Sequence, residues 1–129
     1  MVAAMERRVL LAEDEPHIVE SLRFLLNRAG FEVSVATNGE AALAAALNAP
    51  PDVILLDVML PGIDGIEALR RLRADPRGRA VPVVMLTAKG RRADREIALQ
   101  SGADVFISKP FSNAEVVATV NRLAGVAQA

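Results

Sequence analysis

A chain of 129 residues, 52% of them apolar and with a formal charge of −1, has the size and apolar content of one packed domain. The near-neutral balance does not indicate a general polyanion-binding surface, and the absence of cysteine excludes disulfides, thiolate metal sites and a cysteine nucleophile. No apolar run approaches a membrane span, and the first residues lack the apolar stretch of a secretory signal, so the expected location is cytoplasmic.

Val9-Leu10-Leu11-Ala12 reads as a short buried strand that ends in three acids, Glu13, Asp14 and Glu15. Pro16 suits the first turn of a helix, Ile18, Leu22, Leu25, Leu26 and Ala29 recur at helical spacing, and Gly30 stops it. His17, the only histidine, falls in that first turn and reads as a surface residue. Residues 31–36 alternate apolar and polar, the pattern of a half-buried strand near an edge. Asn38-Gly39 opens an alanine-rich helix through Leu47, and Asn48-Ala49-Pro50-Pro51 closes it.

Val53-Ile54-Leu55-Leu56 then runs straight into Asp57. So short an apolar run, bounded by proline, predicts a buried strand and not a helix. Pro61-Gly62-Ile63-Asp64-Gly65 makes a tight turn, and Asp64 caps the next helix with Glu67 three residues on. In that helix Ile66, Leu69 and Leu72 are expected inward and Arg70, Arg71 and Arg73 outward. A polar loop at 75–79 leads to a fourth strand over 81–86, with Pro82 placed early, where proline does least harm. Thr87-Ala88-Lys89-Gly90 precedes a helix through Ser101 that Gly102 stops. Val105-Phe106-Ile107-Ser108 reads as a fifth buried strand, with Lys109-Pro110-Phe111 at its end. Ser112 and Glu115 form a capping-box pattern ahead of a last helix carrying Val116, Val117, Val120 and Leu123. No linker, repeat or second domain is evident, and residues 1–6 and 126–129 read as short tails around a domain at 7–125.

Strands alternating with helices imply an α/β fold, a parallel sheet with helices on both faces. All carboxyl ends of a parallel sheet share one edge, where open α/β sheets bind their ligands. The first strand delivers Glu13 and Asp14 there, the third Asp57, the fourth Thr87 and the fifth Lys109. Three carboxylates drawn together repel unless cations neutralise them. Lys109 supplies one charge, and a hard divalent ion such as Mg²⁺, which takes oxygen ligands, supplies the rest. A carboxylate beside Mg²⁺, a hydroxyl and an ammonium is equipment for phosphoryl transfer onto an acid. Neither phosphate-cradling glycine motif of nucleotide sites is present, so the phosphoryl donor is expected to come from outside the domain.

Four segments, in this order and spacing, resemble the response-regulator receiver domains of two-component signalling: residues 9–16, residues 55–65, Leu86-Thr87-Ala88-Lys89 and Lys109-Pro110-Phe111. The resemblance covers about residues 7–125. It implies a (βα)5 doubly wound, flavodoxin-like parallel sheet of five strands in the order 2-1-3-4-5. It implies that Asp57 is phosphorylated by a sensor histidine kinase or a histidine phosphotransfer protein. Catalysis would then be limited to the domain's own phosphorylation and slow dephosphorylation, with Asp57, Thr87 and Lys109 as its residues. Asp14, Asp57 and the backbone carbonyl of Met59 would hold Mg²⁺. Glu13 stands where the family more often has Asp and would contribute through a metal-bound water.

The same resemblance makes Thr87 and Phe106 the switch pair, with Phe106 lacking the hydroxyl of the tyrosine many relatives carry. Met59 and Lys89 would tune the phosphoryl lifetime, and the Lys109–Pro110 bond would be cis. The phosphoryl group would remodel the surface of helix four, strand five and helix five toward a downstream protein partner or output domain. Neither direct nucleic-acid binding nor membrane association is expected. The state would be a monomer or a phosphorylation-dependent homodimer. Relatives that dimerise to bind DNA usually carry arginines along the fifth helix, where this chain has Ala114, Thr119 and Asn121. Against the rival of an aspartyl phosphatase, Met59 occupies the place of the acid/base aspartate. A flavin module is disfavoured by the acid cluster. The remaining alternative is a receiver-like docking module that works without phosphorylation.

Overall fold

The four apolar runs and the one alternating segment form a single parallel sheet. A computed structural model describes residues 7–87 and 92–125, the side chains of Arg92 and Asp94 excepted. In chain order the elements are β1 (Arg7–Ala12), α1 (Pro16–Arg28), β2 (Phe31–Ala36), α2 (Gly39–Asn48), β3 (Val53–Asp57), α3 (Gly65–Ala74), β4 (Val83–Thr87), α4 (Arg92–Gln100), β5 (Val105–Ser108) and α5 (Asn113–Leu123). The sheet order is β2-β1-β3-β4-β5, as the resemblance implies. Its register sets Ala12 beside Leu56, Leu56 beside Met85 and Met85 beside Phe106, so the carboxyl ends of the four strands lie level.

Strand residues of alternate parity feed two cores. Leu10, Ala12, Ile54, Leu56, Val83 and Met85 pack beneath α2, α3 and α4 through residues such as Ala42, Leu69 and Ala98. Val9, Leu11, Val53, Leu55, Val84 and Leu86 pack beneath α1 and α5 through Leu22, Leu26, Val116 and Val120. The expected caps are made: Asn38, Asp64 and Ser112 each accept a hydrogen bond from an amide three residues on. A cap the pattern did not suggest is Glu15, whose carboxylate accepts from the His17 amide at the start of α1.

Three expectations are corrected. The fourth strand begins at Val83 and not at 81, because Pro82 has no amide to donate, although its carbonyl still accepts from Ile54 at 2.9 Å. β5 is an edge strand, with only Ile107 buried and Val105 and Phe106 half-buried, so it is not the buried strand its composition suggests. Arg73 does not face out with Arg70 and Arg71: it is held against the carbonyls of Gly78, Val81 and Gly102 and pairs with Asp104.

Candidate functional site

The level strand ends gather the acids. One carboxylate oxygen from each of Glu13, Asp14 and Asp57 lies within 4.8 Å of the others. Glu13 and Asp57 are buried and Asp14 is exposed, so the cluster opens to solvent on one side. Lys109 Nζ lies 3.0 Å from Asp57 Oδ2, to which it donates a hydrogen bond, and 3.0 Å from Glu13 Oε1. The second pair is ionic: among the described residues Oε1 of Glu13 has no aligned hydrogen-bond partner. The Met59 amide donates to Asp57 Oδ1 at 3.0 Å, and the Glu15 amide to Glu13 Oε2 at 3.1 Å.

These contacts leave a charge conflict. Burial above all, and then the Asp57 carboxylate, push the Glu13 carboxyl up to about 7, against the opposite pull of Lys109. Burial draws the Lys109 ammonium down, yet its pairing with Glu13 and Asp57 prevails and its net shift is upward. Among the described residues one ammonium stands against three carboxylates, pairing with two of them, and one buried carboxylate oxygen has no hydrogen bond. Oxygen donors around excess negative charge fit a hard divalent cation, and no sulfur or imidazole enters the cluster.

Thr87 ends β4 in register with Ser108. Its side chain is buried, and its hydroxyl has no hydrogen-bond partner among the described residues. Its carbonyl accepts from the Lys109 amide at 2.7 Å, which ties the hydroxyl and the ammonium to one backbone contact. Phe106, beside Met85 in the sheet, packs half-buried against the core under α3 and α4, on the face that Thr87 shares by parity. The Lys109–Pro110 bond is cis. Met59 is 56% exposed at the rim of the acids. Lys89 lies outside the described residues. Thr119 is not a surface position: it is buried and donates to the Glu115 carbonyl at 2.8 Å, so it says nothing about a dimer face.

An acid cluster at the switch point of a doubly wound sheet of this order is the arrangement that the receiver-domain resemblance implies. Comparison with known proteins agrees. The pattern of the response regulator receiver domain family matches residues 9–121. Among solved structures, the receiver domain of the sensor histidine kinase PA1611 from Pseudomonas aeruginosa, with magnesium in its active-site cleft, is 36% identical. It aligns with a TM-score of 0.86 over 93% of this chain and 98% of that one. The chemotaxis regulator CheY4 of Vibrio cholerae is 30% identical, with a TM-score of 0.85 over 92% and 99%. Among curated relatives, the DNA-binding response regulator MtrA of Mycolicibacterium smegmatis is 45% identical over 90% of this chain and 50% of its own length. ResD of Bacillus subtilis is 44% identical over 92% and 48%. The chain belongs to the response regulator receiver domain family and spans about half the length of these curated relatives.

Sequence reasoning found the acids, Thr87 and Lys109 because each stands at or beside a strand end, and Phe106 through the family resemblance. It missed Glu15 as a cap and Glu40 as a contact of the turn after Asp57. The Ile63 amide donates to Glu40 Oε1 at 3.3 Å from 23 residues away in sequence, and no local pattern carries that signal.

Proposed function

We propose that this domain accepts a phosphoryl group on Asp57 from a phosphohistidine of a sensor kinase or phosphotransfer protein. The observation that carries the reading is the cluster of Glu13, Asp14 and Asp57 with Lys109 set between Glu13 and Asp57. Asp14, Asp57 and the Met59 carbonyl would hold Mg²⁺, with Glu13 behind them, and the bound ion supplies positive charge against the transferring group.

Asp57 is the nucleophile: one of its carboxylate oxygens bonds phosphorus as the donor's P–N bond breaks. Its two oxygens are held apart by the Met59 amide and the Lys109 ammonium, so the carboxylate is oriented before any donor arrives. Lys109 follows the growing charge on the phosphoryl oxygens. The Thr87 hydroxyl, which has no partner among the described residues, donates to one of them, and Phe106 turns into the space it leaves. Met59 and Lys89, two residues after Asp57 and Thr87 in sequence, set how readily water reaches the acyl phosphate. Beside Lys109 a groove of about 500 Å³, walled by Ile18, Leu22, Pro110 and Phe111, offers a partner protein an apolar footing.

Residues 7–125 form the whole acceptor unit in this reading. Its output passes from α4, β5 and α5 to a downstream partner or an attached output domain. Incubation with acetyl phosphate and Mg²⁺ followed by intact mass tests it. One phosphoryl group is expected on the wild type and none on Asp57→Ala. No gain overturns the proposal in favour of a docking module, and a gain that survives the substitution overturns Asp57 as the acceptor.

A further inference from the structure

We propose that the start of α2 is a clamp on the turn that follows Asp57, and that Glu40 is a positioning residue for the divalent-metal site. The inference rests on the reading of Asp57 as a metal-assisted acceptor.

Between β3 and α3 the chain turns sharply, and the proposed metal site requires the Met59 carbonyl to face the acids. Its two ends are fixed by the sheet. The Val58 amide donates to Leu86 and the Gly65 amide to Val58, each at 2.9 Å. Gly65 lies so close to β3 that a Cβ there would be 2.1 Å from the Asp57 carbonyl oxygen. In the middle of the turn Leu60 is buried in the core, and among the described residues the backbone of Pro61 and Ile63 is bonded to α2 and not to the sheet.

The Gly39 amide donates to the Pro61 carbonyl at 3.1 Å, and Glu40 Oε1 accepts from the Ile63 amide at 3.3 Å. Gly62, between these two points, has φ +78°, and a Cβ on it would sit 2.1 Å from Glu40 Oε1. A Cβ on Gly39 would sit 1.9 Å from the Ile63 carbonyl oxygen. Helix start and turn therefore interlock at backbone distance, with Asn38 capping the helix so that its first turn is firm. Met59 has no comparable anchor of its own, since its side chain is largely exposed. The placement of its carbonyl follows from the fixed turn on one side and the Asp57–Met59 contact on the other.

Groups that orient metal ligands from outside typically govern metal affinity by 10–100-fold, and a clamp acting through a turn belongs at the lower end, about tenfold. Two variants separate reach from charge. Glu40→Gln keeps the accepting oxygen and loses the charge. Glu40→Asp keeps the charge and withdraws the oxygen.

The test is a titration of the ¹⁵N-labelled chain with Mg²⁺ alone, following the Met59, Gly62 and Ile63 amides, alongside melting curves without metal. Glu40→Ala and Glu40→Asp are expected to bind Mg²⁺ about tenfold more weakly than wild type, with the Ile63 amide displaced before metal is added. Glu40→Gln is expected to match wild type, and all three to melt close to it. Wild-type affinity in Glu40→Ala overturns the clamp. So does equal weakening in Glu40→Ala and Glu40→Gln with Glu40→Asp unaffected, which would assign the effect to long-range charge. A wild-type chain that takes up no Mg²⁺ overturns the acceptor reading itself, and the clamp with it.

Discussion

At Glu13 burial, a like charge and a cation meet, and burial wins. An acid held above its unfolded value binds its proton more readily in the folded chain. The metal-free domain should therefore lose stability as pH rises from about 4.5 to about 7, by a few kcal/mol at most, and stay at the lower level above that window. Urea unfolding at the two ends of the window measures this. Glu13→Gln should flatten the slope, and an unchanged slope in that variant would move the cause elsewhere. Mg²⁺ should oppose the loss, because ligating carboxylates must be deprotonated and so stabilisation by metal grows with pH. The presence of an acid at this strand end was legible in the sequence. Its complete burial was not, because that depends on β2, whose Ala36 carbonyl accepts from the Glu13 amide at 3.0 Å.

Among the elements, α3 shows how far helical periodicity reaches. It assigned Ile66, Leu69 and Leu72 to the core correctly. It also put Arg73 on the outer face, whereas the guanidinium lies between the α3–β4 loop and the turn that ends α4. One side chain donates to Gly78, Val81 and, through two nitrogens, Gly102, and it meets Asp104, which also accepts from the Val83 amide. Arginine's planar fork suits such a junction, and lysine's single ammonium does not. Arg73→Ala should cost about 2–3 kcal/mol, read from urea midpoints, with Arg73→Lys recovering only part. A loss within error of a surface arginine such as Arg70 would show the junction to be idle. Periodicity could not foresee it because Gly102 and Asp104 lie 29 and 31 residues away.

For the whole molecule, the gathering of acids was readable because parallel strands must bring their carboxyl ends to one edge, whereas the strand order came from the family resemblance. The half-exposure of β5 was misread from its apolar composition, although the order 2-1-3-4-5 already placed the strand at an edge. That exposure matters to the proposed switch. Thr87 and Phe106 lie on one sheet face, beside α4, while Asp57, Glu13 and Lys109 follow the other parity. A change at Thr87 should therefore travel toward the α4–β5–α5 side. Amide shifts with a non-hydrolysable phosphoryl mimic are expected to extend from the acid cluster along β5 into α4 and α5. Shifts confined to the acid cluster would refute this route.

The unpartnered hydroxyl of Thr87 also bears on how readily such a change begins. A donor that must first leave an existing acceptor gains only the difference between two bonds. Among the described residues this one has no acceptor to leave, so a new bond contributes its full worth. A buried unmet donor amounts to about 1–3 kcal/mol, which is the span of a 5–150-fold shift between two conformers. In the proposed switch, the change would then need only an acceptor oxygen within reach of Thr87.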